Sequence, residues 1–248
     1  MTKPLDLEPL GFPQCRACPH RLTGTPTVCA ACAAQSLRPL AEHHCRVCSQ
    51  TLDLGQTVCR NRICGWSTER RCFTRVDAIA LFARPLEAPI KWFKYDGRAG
   101  WASIFGRLIV GWFEAHASDM ADIDVIIGNP TAPGRTPLQH VEEIMRAAHA
   151  EDALGRWPIA DPDNPILVKT RETKKSAKGN WPEKMQAARE HAAALRIRRS
   201  LEGQRILLID DVFTTGATFH TVGKRLIEEA GALEIRGLVL GRVPFGSP

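Results

Sequence analysis

The distribution of cysteine constrains this chain more than any other feature of its sequence. All nine cysteines lie within the first 72 residues, and residues 73–248 contain none. Such an abrupt change in composition marks a boundary between a small cysteine-rich module and a larger domain with an apolar core. We therefore expect two domains, a module over residues 1–75 and a larger domain over residues 76–248.

Eight of the cysteines form two similar copies of one pattern. The first copy reads C-x2-C-x10-C-x2-C and the second reads C-x2-C-x10-C-x4-C. Close pairs of this kind place two thiolates on one face of a knuckle, and two knuckles complete a tetrahedral zinc site. The two sets of predicted ligands are Cys15, Cys18, Cys29 and Cys32, and Cys45, Cys48, Cys59 and Cys64. Sites with four thiolates are closed, so both zinc ions are expected to be structural.

Several alternatives stay open for this module. Pairing of neighbouring knuckles is the simpler arrangement, but the sequence also permits crossed pairing between the copies. His43 and His44 offer substitute ligands, and Cys72 is left over as a spare or buried thiol. A disulfide framework fits poorly, because no secretory signal is visible and reducing compartments keep thiols free. The module has few large apolar residues, so metal binding is expected to supply much of its folding free energy.

The composition is that of an ordinary globular protein with a mild positive charge. The net charge of +6 arises from 33 lysines and arginines against 27 acidic residues. This charge suits a ligand that carries phosphate, or nucleic acid, and equally a well-solvated surface. The apolar runs are short and interrupted, which predicts that the chain does not insert into a membrane. We expect a cytoplasmic protein.

Strand-like and helix-like segments alternate from residue 76 onward. The predicted strands cover residues 76–82, 124–130, 165–168, 205–210 and 235–243. The predicted helices cover residues 100–116, 137–154, 182–197 and 218–232. This alternation predicts an α/β fold with a parallel sheet flanked by helices. The lysine-rich segment 169–181 is predicted to be either a surface loop or a lid over an active site.

The segment RILLIDDVFTTGATF, residues 205–219, carries the strongest functional signal. Ligands of open parallel sheets bind beyond the carboxyl ends of the strands, where Asp210 and Asp211 follow four apolar residues. The loop after them leads into a predicted helix, whose first N–H groups and dipole favour an anion such as phosphate. The loop residues are Thr214, Thr215, Gly216, Ala217 and Thr218. Carboxylates beside a phosphate site predict a ligand with hydroxyl groups or a divalent cation, and a sugar phosphate with Mg²⁺ supplies both.

This segment resembles the phosphoribosyl pyrophosphate (PRPP) motif of type I phosphoribosyltransferases. The segment IKWFKYDGRAG, residues 90–100, resembles a lysine-tyrosine-x-glycine-arginine segment of the ComF family, the competence-associated branch of these proteins. That family also carries an amino-terminal zinc module, and its hood region is similar to the lysine-rich segment 169–181. The resemblance covers nearly the whole chain. It implies a type I phosphoribosyltransferase-like fold, PRPP as substrate, Mg²⁺ as cofactor and a role in DNA uptake.

The resemblance also implies which residues act on PRPP. Asp210 and Asp211 would hold ribose hydroxyls and the threonine-rich loop would hold the 5-phosphate, while a nitrogen acceptor displaces pyrophosphate. Arg135 and Lys174 would stabilise the leaving charge. The family's pyrophosphate loop is richer in arginine than the segment NPTAPGRTPLQH here, in which Arg135 and Gln139 are the counterparts. The sequence therefore leaves open whether the chain turns PRPP over or only binds it.

Two further interpretations of the sequence do not require the protein to be an enzyme. Basic and aromatic residues alternate in RRCFTR (70–75) and KWFKYDGR (91–98), and with the lysine-rich loop they suit single-stranded DNA. Trp92, Phe93 and Tyr95 either stack on bases or pack in the core. In the other interpretation the zinc module docks onto a partner protein of DNA uptake.

Overall fold

A four-stranded parallel sheet forms the centre of the structure, a computed structural model that describes residues 37–173 and 179–244. The strands are β1 (Val76–Leu81), β2 (Val125–Gly128), β3 (Leu167–Lys169), β4 (Leu195–Ile197), β5 (Arg205–Phe213) and β6 (Glu234–Arg242). The order in the sheet is β1-β6-β5-β2, and all neighbouring pairs are parallel. β3 and β4 form a separate antiparallel pair. The predicted α/β class is confirmed.

Helices cover both faces of this sheet. In chain order they are α1 (Thr68–Arg71), α2 (Glu87–Asp96), α3 (Trp101–Ala115), α4 (Ala117–Met120), α5 (His140–Glu151), α6 (Trp181–Ala193) and α7 (Ala217–Ala230), and a 3-10 helix spans Arg62–Gly65. Side chains alternate along β5. Leu207 and Ile209 therefore pack with α2, α3 and α5, whereas Ile206 and Leu208 pack with α7 and the cysteine-rich segment. Within the described ranges, no helix has the length and apolar character needed to cross a membrane.

Strand β5 is longer than the sequence predicts. The predicted strand ends at the first aspartate, whereas β5 continues to Phe213 because its pairing with β6 continues to that residue. On the other side of β5, β2 ends at Gly128, opposite Ile209. No described strand pairs with Asp210 and Asp211 on the β2 side. This gap in the sheet gives side chains from loops and helices access to both aspartates.

The predicted helix over residues 182–197 is too long. Helix α6 begins after Asn180, whose side chain forms a capping box with Glu183, and it ends at Ala193. The following residues form β4, which pairs with β3 over three residue pairs. The cross-strand contacts of this pair outweigh the helical pattern of the sequence at its end.

Among the described helices longer than about one turn, α2 is the one that the sequence does not predict. Residues 87–96 form α2, which buries Ile90 and Phe93 in the cluster that also contains the apolar face of α3. The apolar positions of this helix are few and are separated by lysines, so the helical period is weak in the sequence.

The cysteine-rich segment packs directly against the sheet. The N–H group of Val76 donates to the carbonyl of Val47 at 2.8 Å, and Ser49 Oγ donates to the carbonyl of Val76 at 3.0 Å. Cys48 and Ile63 are fully buried in the same apolar cluster as residues of β5 and β6. The predicted domain boundary near residue 75 stays a prediction.

Candidate functional site

Four cysteines of the second copy lie together in the structure. They are Cys45, Cys48, Cys59 and Cys64, which we call the tetracysteine cluster. Their Sγ atoms all lie within 4.8 Å of one another, and those of Cys48 and Cys59 are 3.7 Å apart. Tetrahedral Zn–S bonds of about 2.3 Å place two sulfurs about 3.8 Å apart. The tetracysteine cluster can therefore hold a zinc ion.

The tetracysteine cluster pairs the two knuckles of one copy, which is the simpler of the two arrangements. The rings of His43 and His44 instead contact the carbonyls of Gln56 and Ala41. Cys72 follows α1 and is not part of the cluster. The other predicted ligands, Cys15, Cys18, Cys29 and Cys32, lie outside the described residues.

The two aspartates of β5 face opposite sides of the sheet, because side chains alternate along a strand. Asp210 accepts hydrogen bonds of 2.9 Å from Asn129 Nδ2 and from the N–H group of Asp211. His191 Nε2 on α6 lies 2.8 Å from Asn129 Oδ1. Burial lowers the pKa of His191 to about 3, so the neutral ring donates from Nε2 to Asn129. Burial and the charge of Asp211 raise the pKa of Asp210 to about 7, although the hydrogen bond from Asn129 opposes this.

Asp211 lies in a buried ion pair on the other face. Lys94 of α2 pairs with Asp211 Oδ2, and His140 Nε2 of α5 lies 3.0 Å from the same oxygen. Burial raises the pKa of Asp211, but the charge of Lys94 and the contact with His140 outweigh it and hold this pKa well below its usual range. Burial also opposes the charged form of Lys94, yet attraction to Asp211 raises the pKa of that lysine. Burial lowers the pKa of His140, although the charge of Asp211 opposes this effect.

The raised pKa of Asp210 predicts a dependence of stability on pH. This pKa is about 7 in the folded protein and 3.8 ordinarily. Between these two pH values Asp210 is therefore protonated in the folded protein, whereas the unfolded chain has released the proton. The stability that Asp210 contributes is therefore complete below about pH 4 and is lost as the pH rises through about 7. Relative to Asp210→Asn, the free energy of unfolding of the wild type should fall over this interval by up to about 4 kcal/mol, because a difference of one in pKa corresponds to about 1.4 kcal/mol.

Urea unfolding at several pH values checks this expectation. Asp163→Asn, a substitution at an exposed aspartate, is the control and should follow the wild type at every pH. Parallel curves for the wild type and Asp210→Asn would show that Asp210 titrates normally.

Residues 214–218, which we call the threonine loop, follow β5 and include the first two residues of α7. Gly216 has a φ of 84°, in the left-handed region, and a Cβ atom there would lie 2.8 Å from Phe213 Cζ. Glycine therefore fits this position without displacing the ring of Phe213. Gly216 also has no side chain to cap α7, and Thr215 Oγ1 accepts only a long hydrogen bond of 3.5 Å from the N–H group of Ala217. The first N–H groups of α7 are thus available to an anion.

Arg135 lies in the loop between β2 and α5, near two other basic residues. After the larger effect of burial, its charge helps to lower the pKa of both His140 and Lys169. Arg135 Nε is buried without a hydrogen-bond partner, and no carboxylate of the described residues forms an ion pair with this arginine. An arginine in this state is suited to a phosphate or pyrophosphate group. Lys174 lies outside the described residues.

The sequence analysis assigns no role to four residues that surround the acid pair. They are Lys94, Asn129, His140 and His191. Lys94 belongs to a segment noted only for its charge and its family resemblance, and Asn129 belongs to the Asn-Pro pair that ends β2. The two histidines lie on separate helices without a local signal, and only the fold brings them to β5.

Many of the basic and aromatic residues predicted to contact DNA have partners inside the protein. Phe93 is 1% exposed, so it packs in the core. Arg98 lies over the ring of Trp92, with its Cζ atom 4.7 Å from the ring centroid. Arg71 is buried and donates to backbone carbonyls. Tyr95, which is 51% exposed, is the member of the aromatic trio that remains available for stacking.

Comparisons with known proteins give a sequence relative and a structural neighbour. No family model matches the chain. Over 214 residues the chain is 26% identical to the DNA utilization protein YhgH of Escherichia coli K12, a match that covers 78% of this chain and 89% of that protein. The protein of the same name from Shigella flexneri matches to the same extent. A purine phosphoribosyltransferase from Pyrococcus horikoshii aligns with a TM-score of 0.30 and 19% identity, over 57% of this chain and 83% of that one. Over most of its length, the chain is thus similar to proteins named for DNA utilization.

Proposed function

We propose that this chain binds PRPP, or a related pentose 5-phosphate, at the threonine loop and acts in DNA uptake. The observation that supports the proposal is the start of α7, where no side chain caps the helix and Thr215 Oγ1 accepts only a long hydrogen bond from Ala217, so the first N–H groups are available to a phosphate. Asp210, which precedes the threonine loop on β5, supports the proposal because a carboxylate can accept hydrogen bonds from ribose hydroxyls. The similarity to proteins named for DNA utilization supports the role in DNA uptake.

Transfer of the phosphoribosyl group would need little covalent chemistry from the protein. The nitrogen of the acceptor forms a bond to C1 of the ribose while the bond from C1 to the pyrophosphate oxygen breaks, so that pyrophosphate leaves with the electron pair and the proton of the acceptor nitrogen passes to water. Arg135 is the described residue that we assign to stabilising this leaving charge, and Lys174 is assigned the same role from the sequence. Release of pyrophosphate in the presence of nucleobases separates turnover from binding alone.

In this proposal any Mg²⁺ ion is bound by the ligand and not by the acid pair of the protein. Asp210 and Asp211 face opposite sides of the sheet, and Asp211 already pairs with Lys94. The two carboxylates therefore do not offer oxygens on one side, as direct ligation of Mg²⁺ would require. The residues present do not fit a magnesium site held by the acid pair, so we expect ribose 5-phosphate to bind with or without Mg²⁺.

The substitution Gly216→Ala should abolish most of this binding. The added methyl group would collide with the ring of Phe213, and the left-handed backbone disfavours alanine. We expect the dissociation constant for ribose 5-phosphate, measured by calorimetry, to rise at least about tenfold. Gly203→Ala is a matched control, because Gly203 has a φ of 71° but no atom within 4 Å of its added Cβ. If Gly216→Ala binds as tightly as Gly203→Ala, the threonine loop does not hold the phosphate.

Binding of single-stranded DNA is a second candidate function, favoured by an aromatic and basic surface of which the sequence predicts only Arg70. Trp66 is partly exposed, the guanidinium of Arg70 lies 4.5 Å from its ring centroid, and Trp181 contacts its edge at 6.0 Å between centroids. Such a group can stack on a base and neutralise a phosphate. Fluorescence polarisation of labelled single strands should show binding that weakens with salt and that weakens further in Trp66→Ala. Absence of salt-dependent binding would remove this candidate.

A further inference from the structure

Arg242, the last residue of β6, is a buried cation that faces the tetracysteine cluster. Its side chain is 1% exposed, and among the described residues no carboxylate forms an ion pair with it. Its guanidinium donates from Nε to the carbonyl of Cys48 at 2.8 Å and from Nη2 to Cys48 Sγ at 3.8 Å. A buried charge without a counter-charge is costly. A zinc ion with four thiolates carries a net negative charge, so the loaded tetracysteine cluster supplies the missing counter-charge.

The same guanidinium also contacts the end of β5. Arg242 Nη1 donates to the carbonyl of Phe213 at 3.3 Å, and Arg242 Cζ lies 4.8 Å from the centroid of the Phe213 ring. That ring fills the space that a side chain at position 216 would occupy. Ile63, which lies between the last two cysteines of the cluster, approaches the same space, with its Cγ2 atom 3.1 Å from a Cβ placed on Gly216. The metal cluster and the threonine loop are therefore joined by one continuous set of contacts.

We propose that Arg242 is a positioning residue that makes the shape of the threonine loop depend on metal in the tetracysteine cluster. The metal fixes the two knuckles, and the knuckles hold the backbone of Cys48 and the side chain of Ile63. Cys48 holds the guanidinium of Arg242, which holds the carbonyl and ring of Phe213 against Gly216. Loss of the metal frees the knuckles, so the threonine loop loses packing on two sides. Reciprocally, a ligand that orders the loop raises the affinity of the cluster for the metal, a consequence that rests on the proposed function.

Hydrogen exchange tests the coupling without any sugar phosphate. Backbone amides of residues 213–219 should exchange at least about tenfold faster in the zinc-stripped full chain than in the zinc-loaded chain, and similarly fast in zinc-loaded Arg242→Met. Transfer of zinc to a chromophoric chelator is the second readout, and one phase of release should be about tenfold faster or more in Arg242→Met. Arg236→Met is the matched control. Arg236 lies on the same strand but pairs with Asp122 and Glu234, so both readouts should stay at their wild-type values.

Several outcomes would overturn the coupling. One is amide exchange at residues 213–219 that is equally fast with and without zinc. Another is release of zinc from Arg242→Met at the same rate as from the wild type. An increase at residues 213–219 that is no larger than the increase at the amides of α3, which packs on the opposite face of the sheet, would indicate general destabilisation and not a specific link. Arg242→Lys keeps the charge but loses the planar fork, so it should give intermediate values even if Arg242→Met does not fold. If ribose 5-phosphate fails to bind while the loop still responds to zinc, the proposed function fails and the coupling stands.

Discussion

Removal of zinc is expected to lower the melting temperature of this protein by more than about 10 °C. Structural zinc contributes on the order of 10 kcal/mol to the folding of small cysteine-based domains, and each kcal/mol shifts the melting temperature of a chain of this size by about 2–4 °C. The effect should reach the parallel sheet, because Cys48 and Ile63 are buried in the cluster that contains side chains of β5 and β6. Differential scanning calorimetry before and after dialysis against a chelator measures this shift.

Cys72→Ser provides the control for this experiment. Cys72 is outside the tetracysteine cluster, so the variant should keep its zinc and its melting temperature. Cys48→Ser removes a ligand and should behave like the stripped protein. A stripped chain that melts at the wild-type temperature would mean that the four thiols do not form a structural metal site.

Lys94→Met is expected to destabilise the folded protein by about 3–5 kcal/mol, the usual cost of removing one partner from a buried ion pair. The substitution leaves the carboxylate of Asp211 buried, with His140 as its remaining polar side-chain contact among those that the structure describes. The double variant Lys94→Met/Asp211→Asn removes the charge on both sides and should recover most of this loss. Urea unfolding at pH 7 of the two single variants and the double variant gives the coupling energy.

Lys91→Met is the matched control for this cycle. Lys91 lies one turn earlier on α2 and pairs with Glu87, but its side chain is 56% exposed. Ion pairs of this kind contribute less than about 1 kcal/mol, so this variant should unfold almost as the wild type does. A loss below about 1 kcal/mol in Lys94→Met would show that Asp211 does not depend on its lysine.

The sequence was most informative where structure follows from local pattern. The alternation of apolar strands and amphipathic helices predicted the central sheet, because buried parallel strands need continuous apolar runs such as ILLI in β5. The spacing of the second cysteine set predicted a cluster, because each knuckle is a local turn. Both features depend on neighbours in the sequence, so no knowledge of the fold was needed.

The sequence was least informative where distant segments meet. The sequence predicts that β5 ends before it does. Pairing with β6 extends the strand past the acid pair, and no local pattern in the sequence indicates this pairing. The partners of Asp211 come from α2 and α5, so Lys94 appeared only as part of a basic segment and His140 as an ordinary helical residue. Arg242 is a similar case, because its contacts with Cys48 and Phe213 join segments far apart in the chain.

These contacts change the physical description of the candidate site. The acid pair of the sequence is divided between the two faces of the sheet, and one member is neutralised by a lysine of the chain itself. We therefore assign recognition of the phosphate to the threonine loop. Asp210 precedes this loop on β5, and the tetracysteine cluster contacts it through neighbouring side chains.

A crystal of the zinc-loaded protein soaked in ribose 5-phosphate tests the central claim most directly. We predict that the phosphate group lies at the threonine loop, within hydrogen-bond distance of the first N–H groups of α7 and with the sugar hydroxyls toward Asp210. A sugar phosphate bound elsewhere, or a threonine loop that stays empty at saturating ligand, would contradict it.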